Sequence, residues 1–556
     1  MKKLSVQKWI IRAARKDGLR ILLLAVISGT ISFCAVWFAL ISRGVVDIAI
    51  GETGGNLWRQ SAGLVGVLLF QAVLNILQSR LNVKITGKME IRINQNLFAR
   101  LYEKKWPWVS RYHSGDILNR MTNDVSVVVN AVVSIIPRWV SMITRLAACI
   151  VVMLIVDVTF TLILTAVGLS VFAFSRIYGK KMKKIHRACQ ESEGKKRSFM
   201  QECVENWIMV QSFGARKHVG EGLEELQQQN FKNKMRRNLI SNVANTAVYV
   251  LFSGSYYIAL AWGSWRLASG AITFGTLTAF LQIVHQIQIP FRNMSGLAPQ
   301  YFNMLASAER LIELEDLPEE ESPISSERAN EIYSSMKGIA VRNLSFSYDN
   351  EPVLSNAELY IKKGEFVAVT GHSGIGKSTL LRLLLGFLEP TGGQLLFDTE
   401  QGEIPAGTGT RPLFSYVPQG NMLLSGTIRQ NMIFGCSEVS DDMVWQAAKA
   451  AEIADFIREL PDGMDTMLGE RGLGLSEGQI QRLAIARGIL RGAPIILLDE
   501  ATSALDERTE AQVLKNLRAL PDKTCICVSH RPAALAVCDR AVEVRDGKIV
   551  QLAAKV

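Results

Sequence analysis

Six apolar runs of roughly twenty residues crowd into the first 300 positions, near 21–42, 57–80, 132–155, 158–178, 243–265 and 275–297. A helix needs about 20 mostly apolar residues to cross the hydrocarbon core of a bilayer. Within that core only helices and closed barrels satisfy every backbone N–H and C=O, so runs of this length predict spanning helices. The third and fourth runs are separated only by Asp157 and its neighbours, which requires a tight turn on one side. The stretches 81–130 and 179–240 carry helical periodicity with few breakers, so the helices are expected to continue well past the membrane.

Charge assigns the sides. The long stretches hold Lys84, Lys88, Arg92, Lys104 and Lys105, then Lys180, Lys181, Lys183, Lys184 and Arg187, whereas the short loops 43–56 and 266–274 offer little beyond Arg43 and Arg266. Basic residues favour the cytoplasmic face, which places both termini there, in a multi-pass protein of a cell membrane, expected to be a bacterial inner membrane. The same topology accounts for much of the net charge of +11, and no nucleic-acid partner is expected. The eight cysteines form no C-x-x-C pair, which argues against a zinc site and fits a reducing compartment. No cleavable signal is expected, because the run beginning at Ile21 is followed by others like it.

The composition changes after about 300. Residues 311–337, LIELEDLPEEESPISSERANEIYSSMK, are acidic and contain Ser and Pro, as a linker would. From Ile339 onward short β-rich runs alternate with helical ones, the pattern of a mostly parallel α/β domain. The expected organisation is a six-helix transmembrane domain over 1–310, a linker over 311–338 and an α/β P-loop domain over 339–556.

FVAVTGHSGIGKSTLLRLLLG (366–386) reads as a buried strand, a glycine-rich turn and a helix. Gly371, Gly374, Gly376, Lys377 and Ser378 have the spacing GxxxxGK[ST]. The whole turn, with His372, Ser373, Ile375 and Thr379 between and after them, is a candidate ATP-binding loop. Backbone N–H groups would close around the phosphates, Lys377 would neutralise β/γ charge, and Ser378 would ligate Mg²⁺. PIILLDEATSALD (494–506) adds a strand delivering Asp499 to its C-terminal edge as a second Mg²⁺ ligand. Glu500, one residue on, is positioned to polarise the attacking water as general base.

In this context the segment from 339 to 552 resembles the ATPase domain of an ABC transporter. LSEGQ (475–479) resembles that family's signature, usually LSGGQ. Tyr348 in LSFSYDN matches the aromatic that stacks on adenine, and Gln419 in YVPQG matches the glutamine loop, a Mg²⁺ and catalytic position. SALD (503–506) matches the D-loop, His530 in CVSHR the switch histidine, and MLGERG (467–472) a segment preceding the signature in the export-type branch. In the first half, SGDILNRMTNDV (114–125), ENWIMVQSFGARK (205–217) and GAITFGTLTAFLQ (270–282) look like segments of export-type half-transporters.

The resemblance implies a dimer in which Ser476, Gly478 and Gln479 of one chain bind ATP held on the phosphate loop of a second half-transporter subunit. Closure of the pair and ATP hydrolysis then drive export by alternating access. Glu477 departs from the usual glycine and is expected to face away from ATP; otherwise the chain would suit the weaker half of a heterodimer. An ATP-gated regulator or channel is the alternative reading, and the apolar spans disfavour a soluble ATPase. Peptide, amphipathic drug and lipid remain open as substrates. For the substrate path, 100° per residue brings Gln282, Gln286 and Asn293 within about 40° of one another in the sixth span, beside His285, with Ile283, Val284 and Ile287 opposite. Arg145, deep in the third span, belongs with them, because polar groups facing lipid are costly.

Overall fold

The computed structural model describes the backbone of residues 2–552 except 350, 421, 422, 437, 470, 471 and 473; a number of helical side chains, including 163–181 and 291–296, lie outside the described set. The chain divides into two compact units, residues 1–97 with 117–314, and residues 98–116 with 315–556.

Every element up to residue 315 is a helix: α1 (Lys2–Ala14), α2 (Gly18–Ile50), α3 (Leu57–Leu101), α4 (Trp106–Val109), α5 (Ser114–Asn119), α6 (Val125–Val156), α7 (Val158–Glu205), α8 (Trp207–Ser212), α9 (Arg216–Ala268) and α10 (Phe274–Glu315). Among the described residues four stretches are long and apolar enough to cross a bilayer, Val6–Ile50, Leu57–Leu101, Ser114–Val156 and Arg216–Ala268. They contain the first, second, third and fifth expected spans. The fourth and sixth, 158–178 and 275–297, follow α7 and α10, where the side chains of 163–178 and 291–296 lie outside the described set. α3, α7 and α9 run for 45, 48 and 53 residues. At 1.5 Å per residue each is roughly 70 Å long, more than twice the hydrocarbon thickness, as the periodicity of the intervening stretches predicts.

The turn between α6 and α7 is a single extended residue. Asp157 (φ −157°) caps α7 by accepting from Phe160 N, and its other oxygen accepts from Trp262 Nε1 on α9. α2 packs on α6 and α7 on α9. Buried acids fasten the remaining helices. Asp17 accepts from Arg20 Nη1 and from Arg92 Nη1 of α3, both at 2.8 Å. Asp124 ends a π-helical turn over Arg120–Asp124, is fully buried, and accepts from Ser307 Oγ (2.9 Å) and Arg310 Nε (2.7 Å) of α10. Asp47 reaches across to Gly275 N in the first turn of α10 (2.9 Å) and also meets Arg43. A buried carboxylate is tolerated only when it is paired and hydrogen-bonded, so each of these acids fixes the approach of two segments distant in sequence.

The second unit contains α11 (Ser326–Ser335), β1 (Met336–Tyr348), β2 (Glu351–Lys362), β3 (Phe366–Thr370), α12 (Lys377–Leu384), β4 (Gly392–Thr399), β5 (Gly402–Pro405), β6 (Phe414–Val417), β7 (Gly426–Thr427), α13 (Ile428–Met432), α14 (Asp441–Ala450), α15 (Ala454–Glu459), β8 (Met467–Leu468), α16 (Glu477–Leu490), β9 (Ile495–Asp499), α17 (Glu507–Arg518), β10 (Thr524–Val528), α18 (Pro532–Val537), β11 (Arg540–Arg545) and β12 (Lys548–Gln551). A four-stranded antiparallel sheet has the order β2-β1-β4-β5. A six-stranded sheet has the order β12-β11-β3-β10-β9-β6 and is parallel except for its β12 edge. β3, β9 and β10 are buried throughout, with Ile495 and Leu497 on one face and Ile496 and Leu498 on the other, feeding two separate apolar cores. Continuous aliphatic runs are what a parallel strand covered on both faces demands.

Two features refine the sequence reading. The acidic stretch 311–338 holds the end of α10, all of α11 and the start of β1, with Ser325 capping α11 through Arg328 N. Residues 98–116, between the second and third spans, belong to the second unit. Lys105 N donates to Pro318 O (2.9 Å), Glu320 N to Glu103 O (2.7 Å), and the buried Lys104 Nζ to Glu315 O and Glu319. Trp106 of α4 stacks against Phe387, with their ring centres 6.3 Å apart, and lies under the Arg382 guanidinium of α12.

Asp124→Ala removes the acceptor shared by Ser307 and Arg310. Because Arg310 is half exposed and screened, the expected loss is about 2 kcal/mol, the scale of a charge-assisted hydrogen bond. Thermal unfolding of the purified protein checks this; an unchanged melting temperature would contradict the role given to Asp124.

Candidate functional site

The parallel sheet decides where the chemistry collects. Val528 of β10 pairs with Val369 of β3 on one side and Asp499 of β9 on the other, and β6 flanks β9. The loop after β3 carries Gly371–Gly376, β9 ends in Asp499 with Glu500 next, Gln419 follows β6, and His530 follows β10. All of these leave the C-terminal edge of neighbouring strands, where open α/β sheets take ligands.

In the phosphate loop Gly376 adopts φ +112°, and a Cβ there would stand 2.6 Å from Val353 Cγ1, so only glycine fits. α12 starts at Lys377, presenting its free N–H groups to the loop. Lys377 is buried, and its ammonium donates to Gly371 O (2.8 Å) and His372 O (3.0 Å), which holds it over the loop. Ser378 Oγ donates to Asp499 Oδ1 (2.9 Å). Hydroxyl and carboxylate are hard oxygen donors, and their adjacency suits a small divalent cation that takes its other ligands from phosphate and water.

Asp499 is almost wholly buried, and its second oxygen accepts from Tyr416 OH (3.0 Å). Burial, and then the Asp499 charge, push the Tyr416 hydroxyl far above its usual range, so it stays protonated and remains a donor. Glu500 takes a left-handed backbone (φ +51°), a strained conformation for this residue type. That turn aims its carboxylate at Gln419, whose Nε2 donates to Oε2 at 2.7 Å, and brings Oε1 to 3.9 Å from Lys377 Nζ. His530 is exposed at the same edge. Tyr348, at the end of β1, is 40% exposed and in edge-to-face contact with Phe346.

Ser476 caps α16. Its Oγ accepts from Gln479 N, and Gln479 Oε1 accepts from Ser476 N (2.8 Å), so two orphan donors are satisfied reciprocally. Glu477 is exposed in the first helical turn, where a negative charge suits the dipole. Gly478 lies close to the D-loop: a Cβ would meet Ala504 O at 3.0 Å. Gln481 extends that contact, donating to Ser503 Oγ and accepting from Ala504 N.

The geometry adds residues that motif reading passed over. Tyr416 was visible only as the tyrosine of YVPQG. Arg531, next to His530, donates to Ser503 O and Leu505 O and to the fully buried Glu510, tying the loop of His530 to the stretch 503–506. Sequence spacing gave no sign of these pairings.

Of the path residues, Gln282 is half buried and donates to Ser42 Oγ (3.3 Å), His285 is exposed, and Gln286 is half buried with Oε1 lacking a partner. Ile283 and Val284, opposite, are buried against Val36, Cys149, Met153 and Phe160. The Asn293 side chain lies outside the described residues. Arg145 lines a cavity of mixed polar and apolar character in the first unit.

A phosphate loop, a paired strand-end carboxylate and an adjacent glutamate define a P-loop ATPase joined to a helical membrane domain. Residues 19–291 match the ABC transporter transmembrane region, and residues 354–503 match the ABC transporter domain. The chain is 30% identical over 499 residues to an ATP-dependent lipid A-core flippase of Chromobacterium violaceum, covering 88% of this chain and 83% of that one. A protein of the same name from Syntrophus aciditrophicus is 28% identical, over 92% and 85% of the two chains. The fold matches that of a bacterial Atm1-family ABC exporter with ATP bound, with a TM-score of 0.78 and 24% identity over 96% of this chain and 94% of that one. The chain belongs to the ABC transporter family. It is an export-type half-transporter, a membrane protein with nucleotide-dependent ATPase activity coupled to transport, and half-transporters of this kind typically dimerise.

Glu500→Gln keeps the acceptor for Gln419 but removes the base. Hydrolysis should fall by about 10²–10⁴-fold with ATP binding retained. Turnover and nucleotide affinity measured side by side check this; near-normal turnover would remove Glu500 from the chemistry.

Proposed function

We propose that two copies of this chain export an amphipathic lipid across a bacterial cytoplasmic membrane, with both termini of each copy on the cytoplasmic side. In this reading 1–310 is the membrane domain, 311–338 the connection and 339–556 the nucleotide-binding domain. The observation that carries the shared-site arrangement is that each chain holds one phosphate loop and one Ser476-capped signature turn, so two chains complete two sites. The substrate class is supported by the lipid A-core flippases, which this chain resembles over most of their length.

Within each site Tyr348 stacks on adenine, and the N–H groups from His372 to Thr379 close on the phosphates. Lys377 neutralises the β and γ charges. Ser378, Asp499 and Gln419 would hold a Mg²⁺ ion, which would supply charge neutralisation on the phosphate oxygens. Glu500 takes the proton of the attacking water, Gln419 orients Glu500, and His530 contacts the γ-phosphate. From the other copy come Ser476 Oγ, Gly478 N and Gln479, with Glu477 directed away from the nucleotide. Closure of the pair would then change the access of the membrane helices, and hydrolysis would reset them.

Lys377→Ala and Ser476→Ala should therefore complement in trans. A mixed dimer has one site damaged twice and one intact, so co-expression should restore nucleotide-induced closure at one site. Closure no greater than in either single mutant would contradict shared sites, and closure restored only by a different partner chain would make this half of a heterodimer. ATPase stimulation of the reconstituted protein by peptides, amphipathic drugs and lipids tests the substrate class; stimulation by peptides alone would overturn the lipid reading. EDTA is expected to stop hydrolysis while nucleotide binding persists.

A further inference from the structure

Arg382 and Tyr416 lie outside the phosphate loop, yet both lead to Asp499. Tyr416 of β6 pairs with Leu497 of β9, two residues before Asp499. Paired residues of adjacent strands share a face, and side chains along a strand alternate, so Tyr416, Leu497 and Asp499 project from the same face of the sheet. That face is covered by α12, whose Leu380, Leu381 and Leu384 share an apolar core with Leu497 and Tyr416. On α12, Ser378 and Arg382 are four residues apart and therefore neighbours on the helix surface. Ser378 Oγ donates to Asp499 Oδ1 (2.9 Å). Arg382 contacts the Tyr416 hydroxyl, which donates to Asp499 Oδ2 (3.0 Å).

The chemistry of the groups fixes the direction of this chain. A guanidinium has donors only, and a hydroxyl has a single proton. With Arg382 donating to the Tyr416 oxygen, the tyrosine proton goes to Asp499. Arg382 is held in turn against the Trp106 ring, 5.5 Å from its centre. Phenylalanine at 416 would fill the same apolar space, so the hydroxyl serves the carboxylate and not the packing. Asp499 is almost wholly buried, and its carboxylate cannot rotate without losing a donor that solvent does not replace. One oxygen, Oδ1, is left on the Ser378 side. Divalent cations differ in what they ask of a carboxylate. Ca²⁺ takes about six to eight oxygens and accepts both from one carboxylate, whereas Mg²⁺ demands near-ideal octahedral geometry.

We propose that Tyr416, oriented by Arg382, is a positioning residue that gives the nucleotide site its preference for Mg²⁺ over larger cations such as Ca²⁺, by holding Asp499 to one available oxygen. This rests on the reading that Ser378 and Asp499 hold the divalent cation, and adds the residue that sets which cation they accept.

The test counts bound metal without turnover. Full-length protein with ADP is titrated with Mn²⁺, the free ion being read by its electron paramagnetic resonance signal, and the bound Mn²⁺ is then displaced by Mg²⁺ or by Ca²⁺. Tyr416→Phe should reduce the Mg²⁺-over-Ca²⁺ preference about tenfold, the scale of one charge-assisted hydrogen bond, with metal-free ADP binding retained. Arg382→Gln keeps the hydroxyl but frees its proton to turn, and should reduce the preference less, by about threefold. Tyr360→Phe removes a comparable hydroxyl, bonded to Asp398 on the antiparallel sheet (3.0 Å), and should leave the preference intact. An unchanged preference in folded Tyr416→Phe would overturn the proposal. So would an equal loss of metal-free ADP binding, which would mark general damage to the loop. Should Tyr416→Phe fail to fold, Arg382→Gln decides, and an unchanged preference there overturns the proposal. Asp499→Asn separates the underlying reading. Mn²⁺ bound as tightly as by the wild type would sink Asp499 as a ligand, whereas Mn²⁺ lost in that variant with the preference intact in Tyr416→Phe would sink the positioning role alone.

Discussion

The buried carboxylate of Asp499 is the constraint on which the nucleotide half depends. A charge so far from water must be met on both oxygens, and Ser378 and Tyr416 meet one each. Ser378 is available only because β3 neighbours β10, β10 neighbours β9, and the phosphate loop turns α12 back over the strand ends. Tyr416 is available because β6 forms the other flank of β9. The strand order and the site are therefore one arrangement. The strained turn at Glu500 follows from it, since the next residue must leave the strand sharply to reach Gln419 and Lys377.

The membrane half applies the same electrostatics to a different end. Asp17, Asp47 and Asp124 are buried acids that each bind a donor on a distant segment, so they behave as fasteners between long helices whose apolar faces alone would permit sliding. Against that pattern Arg145, whose Nε is buried without a hydrogen-bond partner, stands out because no acid meets it among the described residues. Residues 98–116 make a related point for the second unit. Trp106 packs against Phe387 and lies under the Arg382 guanidinium, and Arg382 also faces the Tyr416 hydroxyl. The segment joining the second and third spans is thus packed two side chains from the carboxylate at the centre of the site.

Much of this was legible in the sequence, for identifiable reasons. The phosphate loop was readable because Gly376 must be glycine and Lys377 and Ser378 must open a helix. The strand ending in Asp499 was readable because a run of aliphatics covered on both faces has few other uses. The tight turn at Asp157 followed from two apolar runs with no room between them. Tyr416, Arg531 and Trp106 were hidden because their roles come from partners 83, 21 and 281 positions away, Asp499, Glu510 and Phe387, and no local pattern encodes such pairings. The stretch 311–338 read as a linker because its acids dominate its composition, although Ser325 caps a short helix inside it. Arg145 stood out as a charge in a span; that no acid meets it among the described residues required the folded helices.

The account joins an ATPase of this geometry to the proposed export of an amphipathic lipid through a membrane domain held together by buried ion pairs. Its central claim is coupling. The most direct measurement is the transfer of a fluorescent phosphatidic acid between the leaflets of proteoliposomes, followed by its loss of accessibility to an impermeant quencher, with ATP hydrolysis recorded in the same vesicles. The account predicts transfer that begins with ATP, scales with the ATP hydrolysed and stops when vanadate arrests turnover. Hydrolysis that proceeds with no transfer of any lipid, or transfer indifferent to ATP, would contradict it.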